Sequence, residues 1–184
     1  MPIPVLAGFD GYGPVTIVQV DAHVDWADTI RGQGKGYSSP MRRVAELPWI
    51  ENMLQIGIRG LGSGEKRQHD DARAWGSRLV TSRDWHRLGP DAVLASLTDR
   101  GRFVLSIDCD GMDPAVFPAV GMPTPGGLDY EDMLALIHGL TARGRLCGVI
   151  IAEYVPARDD ALRSCALLAA RLALTAMALM RQDE

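Results

Sequence analysis

Five short apolar runs punctuate the chain: VTIVQV (15–20), MLQIGI (53–58), RLVTS (78–82), FVLSI (103–107) and GVIIAEY (148–154). The first and fourth read as strands buried on both faces, and the others are shorter runs of the same kind. Continuous apolar strands separated by longer amphipathic stretches predict a parallel sheet covered on both sides by helices. Ser82-Arg83-Asp84 opens a short helical segment that Gly89-Pro90 interrupts, and 91–97 resumes it. The stretch 129–142 sets Met133, Leu134, Ile137, His138 and Leu140 near helical spacing. A loop over 156–160 precedes a long final helix, 162–180. That helix is strongly apolar, yet Arg163 and Arg171 interrupt it. A mid-span arginine is costly in lipid, so it predicts a buried or interface helix and no membrane span. With no repeat and no linker, residues 1–184 predict a single α/β domain.

Composition changes this picture little. Apolar residues make up 47% and charged residues 23%, which suits a folded globular chain and excludes a disordered one. A net charge of −4 without any basic run gives no footprint for nucleic acid or an anionic membrane. Cys109, Cys147 and Cys165 are odd in number and scattered. They read as reduced core thiols of a cytoplasmic protein, and the start MPIPVLAGF lacks the basic opening of a secretory signal. Two glycine-rich loops, 29–40 and 110–128, follow predicted strands. Parallel sheets place their chemistry at such carboxyl ends.

Three acidic motifs stand at those ends. Asp21-Ala22-His23-Val24-Asp25 follows VTIVQV. If the strand continues, Asp21, His23 and Asp25 share one face, a donor set suited to manganese, iron or zinc. Asp108-Cys109-Asp110 follows FVLSI, and the same alternation directs Asp108 and Asp110 to one face. Two carboxylates beside a buried strand repel unless a cation neutralises them. Asp113, before Pro114, reads as a turn-former. Glu153 closes the run GVIIAE, where it can bind a cationic substrate or a metal. Taken singly, the first motif reads equally as a solvated loop start, and Glu153 as an ordinary strand-end carboxylate. Together they predict convergence of Asp21, His23, Asp25, Asp108, Asp110 and Glu153 on one side of the sheet. Four aspartates and a histidine are enough to hold two divalent ions for metal-assisted hydrolysis.

These motifs resemble those of the ureohydrolase family of arginases, agmatinases, guanidinobutyrases and formimidoylglutamases. DAHVD at 21–25, SIDCDGMDPAVFPAVGMPTPGGL at 106–128 and EYVP at 153–156 match its D-A-H-x-D, S-x-D-x-D-x-x-D-P and E-x-x-P patterns in order. The resemblance implies a three-layer α/β/α fold and manganese-dependent hydrolysis of a small guanidino compound to urea and an amine. It implies that Asp21 and Asp108 bridge two manganese ions, that His23 and Asp110 complete one set, and that Asp25 ligates the other. Asp25 would also orient the attacking hydroxide, and Glu153 would hold the guanidinium. A homo-oligomer is implied as well, trimeric or hexameric in the family.

Two departures from the family pattern bear on activity. The family's upstream G-G-D-H motif, whose histidine ligates the ion shared with Asp25, has no match in this chain. His69, His86 and His138 stand in no matching context and read as surface or helix residues. In the loop after DAHVD, where agmatinase-like members carry a histidine, the paired Arg42 and Arg43 align Tyr37 with that position. A phenol can hydrogen-bond a substrate but does not readily shuttle protons at neutral pH. The family's sheet has eight parallel strands; without its first three, five remain in the order 5-4-1-2-3, and the strand ending at Glu153 becomes an exposed edge. A catalytically impaired remnant that binds metal or oligomerises is the alternative to an active hydrolase. A magnesium-dependent phosphotransferase is a third reading, although it leaves His23 without a role.

Overall fold

The computed structural model describes residues 2–180, so both ends of the 1–184 span lie outside the described residues. The five apolar runs form parallel strands: β1 (Val15–Val20), β2 (Ile50–Ile58), β3 (Arg78–Thr81), β4 (Arg102–Asp108) and β5 (Arg145–Ala152). Their order across the sheet is β3-β2-β1-β4-β5, as the resemblance implied. β1 lies at the centre and all six of its residues are buried. Alternate side chains feed two separate cores. Ile17, Met53 and Val104 meet Leu6, Met41, Val44 and Ala72 on one face. Val18, Leu54 and Leu105 meet Trp85, Leu94, Leu136 and Leu172 on the other. Helices α1 (Ile3–Ala7), α2 (Pro40–Val44) and α3 (Lys66–Trp75) therefore cover the first face. Helices α4 (Ser82–Leu88), α5 (Pro90–Leu94), α6 (Tyr130–Arg143) and α7 (Ser164–Leu179) cover the second, giving three layers.

The sequence pattern predicts α4, α6 and α7 well and misses α1, α2 and α3. The segment KRQHDDARAW of α3 is dominated by charged and polar residues and buries only Ala72 fully, so it offers few apolar positions to read. Its ends are set by local chemistry instead. Glu65 and Gln68 exchange reciprocal capping contacts, and Gly76 closes the helix in the left-handed region at φ 112°. α5 starts at Pro90, whose ring suits a first helical turn, and ends at Leu94 instead of reaching residue 97. Leu97 still reaches the core, because its N–H bonds the Leu94 carbonyl at 3.0 Å and folds the chain inward.

β5 is an edge. Val149–Ala152 pair with Leu105–Asp108 and, among the described residues, with no other strand. Most of β5 is only half-buried, whereas β1 is buried throughout. The outer face of α7 leaves Leu167, Leu174 and Met177 between 59% and 64% exposed. Among the described residues no helix is long and apolar enough to cross a membrane.

Candidate active site

β1, β4 and β5 are neighbours, so their carboxyl ends bring the three acidic motifs together. The local geometry differs from simple strand continuation. β1 ends at Val20 and the chain then bends, with Asp21 Oδ1 accepting from the His23 backbone N–H at 2.6 Å. Asp25 sits in the left-handed region at φ 53°, and its carbonyl accepts from the Met41 and Arg42 N–H groups at the start of α2. β4 likewise gives way to a 3-10 turn, Cys109–Gly111, in which Asp108 accepts from the Asp110 N–H at 3.1 Å. Asp110 Oδ1 then accepts from the Ala22 N–H at 3.2 Å and ties the second motif to the first. Short aspartate side chains bond the backbone two residues on, and this competes with strand extension. Convergence therefore comes from turns and not from period-two alternation.

The turns approach closely at Gly111. A Cβ there would lie 2.7 Å from the Asp21 backbone nitrogen, so only glycine fits. Asp113 is the turn-former its position predicts, accepting from the N–H groups of Ala115, Gly126 and Gly127. Arg59, which sequence reasoning overlooked, holds the same loop from the other side. Its guanidinium donates to the carbonyls of Gly57, Asp110, Gly111, Met112, Thr124 and Pro125.

Asp21, His23 and Asp110 form a trio in which one ligand atom from each lies within 4.8 Å of the others. His23 Nδ1 stands 3.2 Å from Asp21 Oδ1 and 3.2 Å from Asp110 Oδ2. Asp25, Asp108, Glu153 and Tyr37 stand outside that trio and line one cavity of roughly 580 Å³ with His23 and Asp110. Tyr37 lies at its rim, 81% exposed. His69 faces Ser63 on α3, His86 pairs with Asp132, and His138 is exposed on α6, so none of the three joins the site. Gln19 and Ser106 also line the cavity. Each lies two residues before a motif aspartate, a spacing readable in retrospect.

Electrostatics make the cluster a candidate cation site. Burial, then the Asp108 and Asp110 charges, push Asp21 well above the usual carboxylate range. Burial, then Asp21, do the same to Asp25. Burial and Asp110 push Asp108 up to about 8. His23 is raised by its hydrogen bond to Asp110. Burial alone would raise Asp110, but the His23 hydrogen bond and charge outweigh it and hold Asp110 below the ordinary value. Among the described residues no lysine or arginine lines the cavity to offset these carboxylates. Oxygen donors plus one imidazole fit a hard or borderline divalent ion.

Comparison with known proteins places the chain by sequence and by fold. The family model described as "Arginase family" matches residues 1–179. The chain is 32% identical to arginase 1, mitochondrial, of Arabidopsis thaliana over 161 residues, covering 87% of this chain and 46% of that protein. It is 33% identical to N(1)-aminopropylagmatine ureohydrolase of Synechocystis over 150 residues, covering 80% and 47%. Among solved structures, arginase from Medicago truncatula superposes with a TM-score of 0.84 at 28% identity, covering 97% of this chain and 56% of that one. The agmatine ureohydrolase of Thermoplasma volcanium superposes at 0.76 with 30% identity, covering 90% and 54%. The chain thus spans about half the length of the relatives it matches. On this family match, these relatives and the shared fold, the chain belongs to the arginase family.

Proposed function

We propose that this chain carries the site of a manganese-dependent hydrolase that splits a small guanidino compound into urea and an amine. The observation that supports it most is the trio of Asp21, His23 and Asp110, two of whose members line one cavity with Asp25, Asp108 and Glu153. In this reading Asp21, His23, Asp25, Asp108 and Asp110 hold two divalent ions. Such ions supply Lewis acidity, which makes water acidic enough to serve as a nucleophile at neutral pH.

The remaining work falls to the protein. Glu153, an exposed residue in the left-handed region at φ 59°, offers its carboxylate to the guanidinium as a charge-assisted partner. Such a backbone strain is kept where the surrounding structure over-determines it, often at a functional site. Asp25 accepts a hydrogen bond from the attacking water and orients it toward the guanidinium carbon. The proton that Asp25 takes up from that water is passed on to the departing amine. Tyr37 at the rim hydrogen-bonds the substrate tail. A homo-oligomer completes this reading.

Purified chain loaded with Mn²⁺ is assayed for urea release from agmatine, arginine and 4-guanidinobutyrate. Urea from at least one substrate, lost in Asp25→Asn, is the expected result. Tight Mn²⁺ binding without urea from any of them favours the remnant that binds metal without turnover.

A further inference from the structure

Four buried side chains form a hydrogen-bonded line that ends on Asp21. Gln19, in β1, donates through Nε2 to Asp21 Oδ2 at 2.6 Å. Gln55, its register partner in β2, donates through Nε2 to Gln19 Oε1 at 2.5 Å and to the Val24 carbonyl at 2.8 Å. Ser77, just before β3, donates to Gln55 Oε1 at 2.8 Å. None of the four is more than 4% exposed. Nothing in the apolar strand pattern requires two glutamines here, where valine or leucine would fill the space at no polar cost.

The line has a direction, and one backbone atom sets it. The Val24 carbonyl can only accept, so Gln55 must turn its amide nitrogen toward it. The second N–H of that nitrogen then meets the oxygen of Gln19, which turns the nitrogen of Gln19 toward Asp21. Reversing the order would set two oxygens against each other at Val24 and leave buried acceptors unpaired. Ser77 is compatible with either order, because a hydroxyl donates or accepts. Meanwhile Asp21 Oδ1 is claimed by the His23 backbone N–H at 2.6 Å. Both carboxylate oxygens are thus held by fixed donors from two directions.

We propose that Gln19 and Gln55 are positioning residues for cation binding: the Val24 carbonyl, acting through Gln55, locks Gln19 as a donor that fixes the Asp21 carboxylate in its ligating orientation. This rests on the cation-binding reading of the site given above. A ligand carboxylate oriented in advance spends less free energy on ordering when the ion arrives. Gln55 never touches the ion; it acts through Gln19.

The test is Mn²⁺ titration by calorimetry into metal-stripped chain, for Gln19→Met, Gln55→Met and the double variant, beside the urea midpoint of each without metal. Each single variant is expected to weaken Mn²⁺ binding roughly tenfold, the lower end of the range for partners of metal ligands. The double variant is expected to bind no worse than Gln19→Met alone. Should Gln55→Met fail to fold, Gln55→Glu keeps the shape, replaces the donor nitrogen with an acceptor, and carries the same expectation. A merely structural role lowers the metal-free midpoint but leaves the Mn²⁺ affinity of the folded chain within about twofold, and that result overturns the proposal. Losses that add in the double variant overturn it too. Mn²⁺ bound equally by all variants defeats this proposal alone, while no Mn²⁺ uptake by the unmodified chain defeats the cation-binding reading and this proposal together.

Discussion

Asp108 illustrates at residue scale how the site is set against stability. Burial and the Asp110 charge push it up to about 8, whereas the unfolded chain titrates it near about 4. The folded state therefore holds the proton more tightly than the unfolded one. Its contribution is complete below the unfolded value and is lost as pH rises through the folded value. Asp21 and Asp25 shift in the same direction and add to the slope. Metal-free protein in EDTA is expected to lose urea resistance steadily from roughly pH 4 to pH 8, the interval between those two values. Asp108→Asn should flatten that slope and raise the midpoint at pH 8, while losing the stabilisation that added Mn²⁺ gives the parent. A parent midpoint that does not change with pH in EDTA counts against the account.

At the scale of elements, Asp132 joins α6 to α4. It sits in the first turn of α6, returns a contact to the Asp129 N–H, and accepts from the Trp85 indole at 2.8 Å and from His86 at 2.9 Å. Burial alone would raise its pKa, but these hydrogen bonds outweigh it and hold the carboxyl below the ordinary value. A depressed carboxylate adds stability above its unfolded pKa and loses it as pH falls through the folded value. Asp132→Ala strands the indole N–H of the buried Trp85, an expected loss of about 1–3 kcal/mol. Urea unfolding followed by tryptophan fluorescence at pH 7 measures it. The same experiment at low pH should show the gap between variant and parent closing. The helices were legible in the sequence to the extent that they bury a face. α6 fully buries Met133, Leu136, Ile137 and Leu140 and could be read directly, whereas α3 buries Ala72 and could not.

For the whole molecule, the open edge at β5 lies beside the outer face of α7, and together they leave apolar side chains and backbone groups without cover among the described residues. Exposed strand edges and apolar patches promote pairing with another chain. The protein is expected to run above the mass of one chain in light scattering coupled to size exclusion. Replacing Leu167 and Leu174 with lysine should return it to that mass, and a parent already at that mass at high concentration would refute the expectation.

Sequence alone determined the five strands, helices α4, α6 and α7, the acidic motifs at strand ends and the family they resemble, because burial of whole faces leaves continuous or periodic apolar runs. It read Asp113 as a turn residue, which the bond from the Ala115 N–H bears out, whereas the bonds from Gly126 and Gly127 could not be read locally. Only the tertiary structure decided how Asp21, His23 and Asp110 meet, because Asp110 reaches the Ala22 N–H only once β1 and β4 are side by side. It alone revealed Arg59 and the Gln19–Gln55 line, whose partners lie tens of residues away in the chain. Hydrogen bonds between distant segments leave no periodic trace in a sequence, whereas burial of a whole face does.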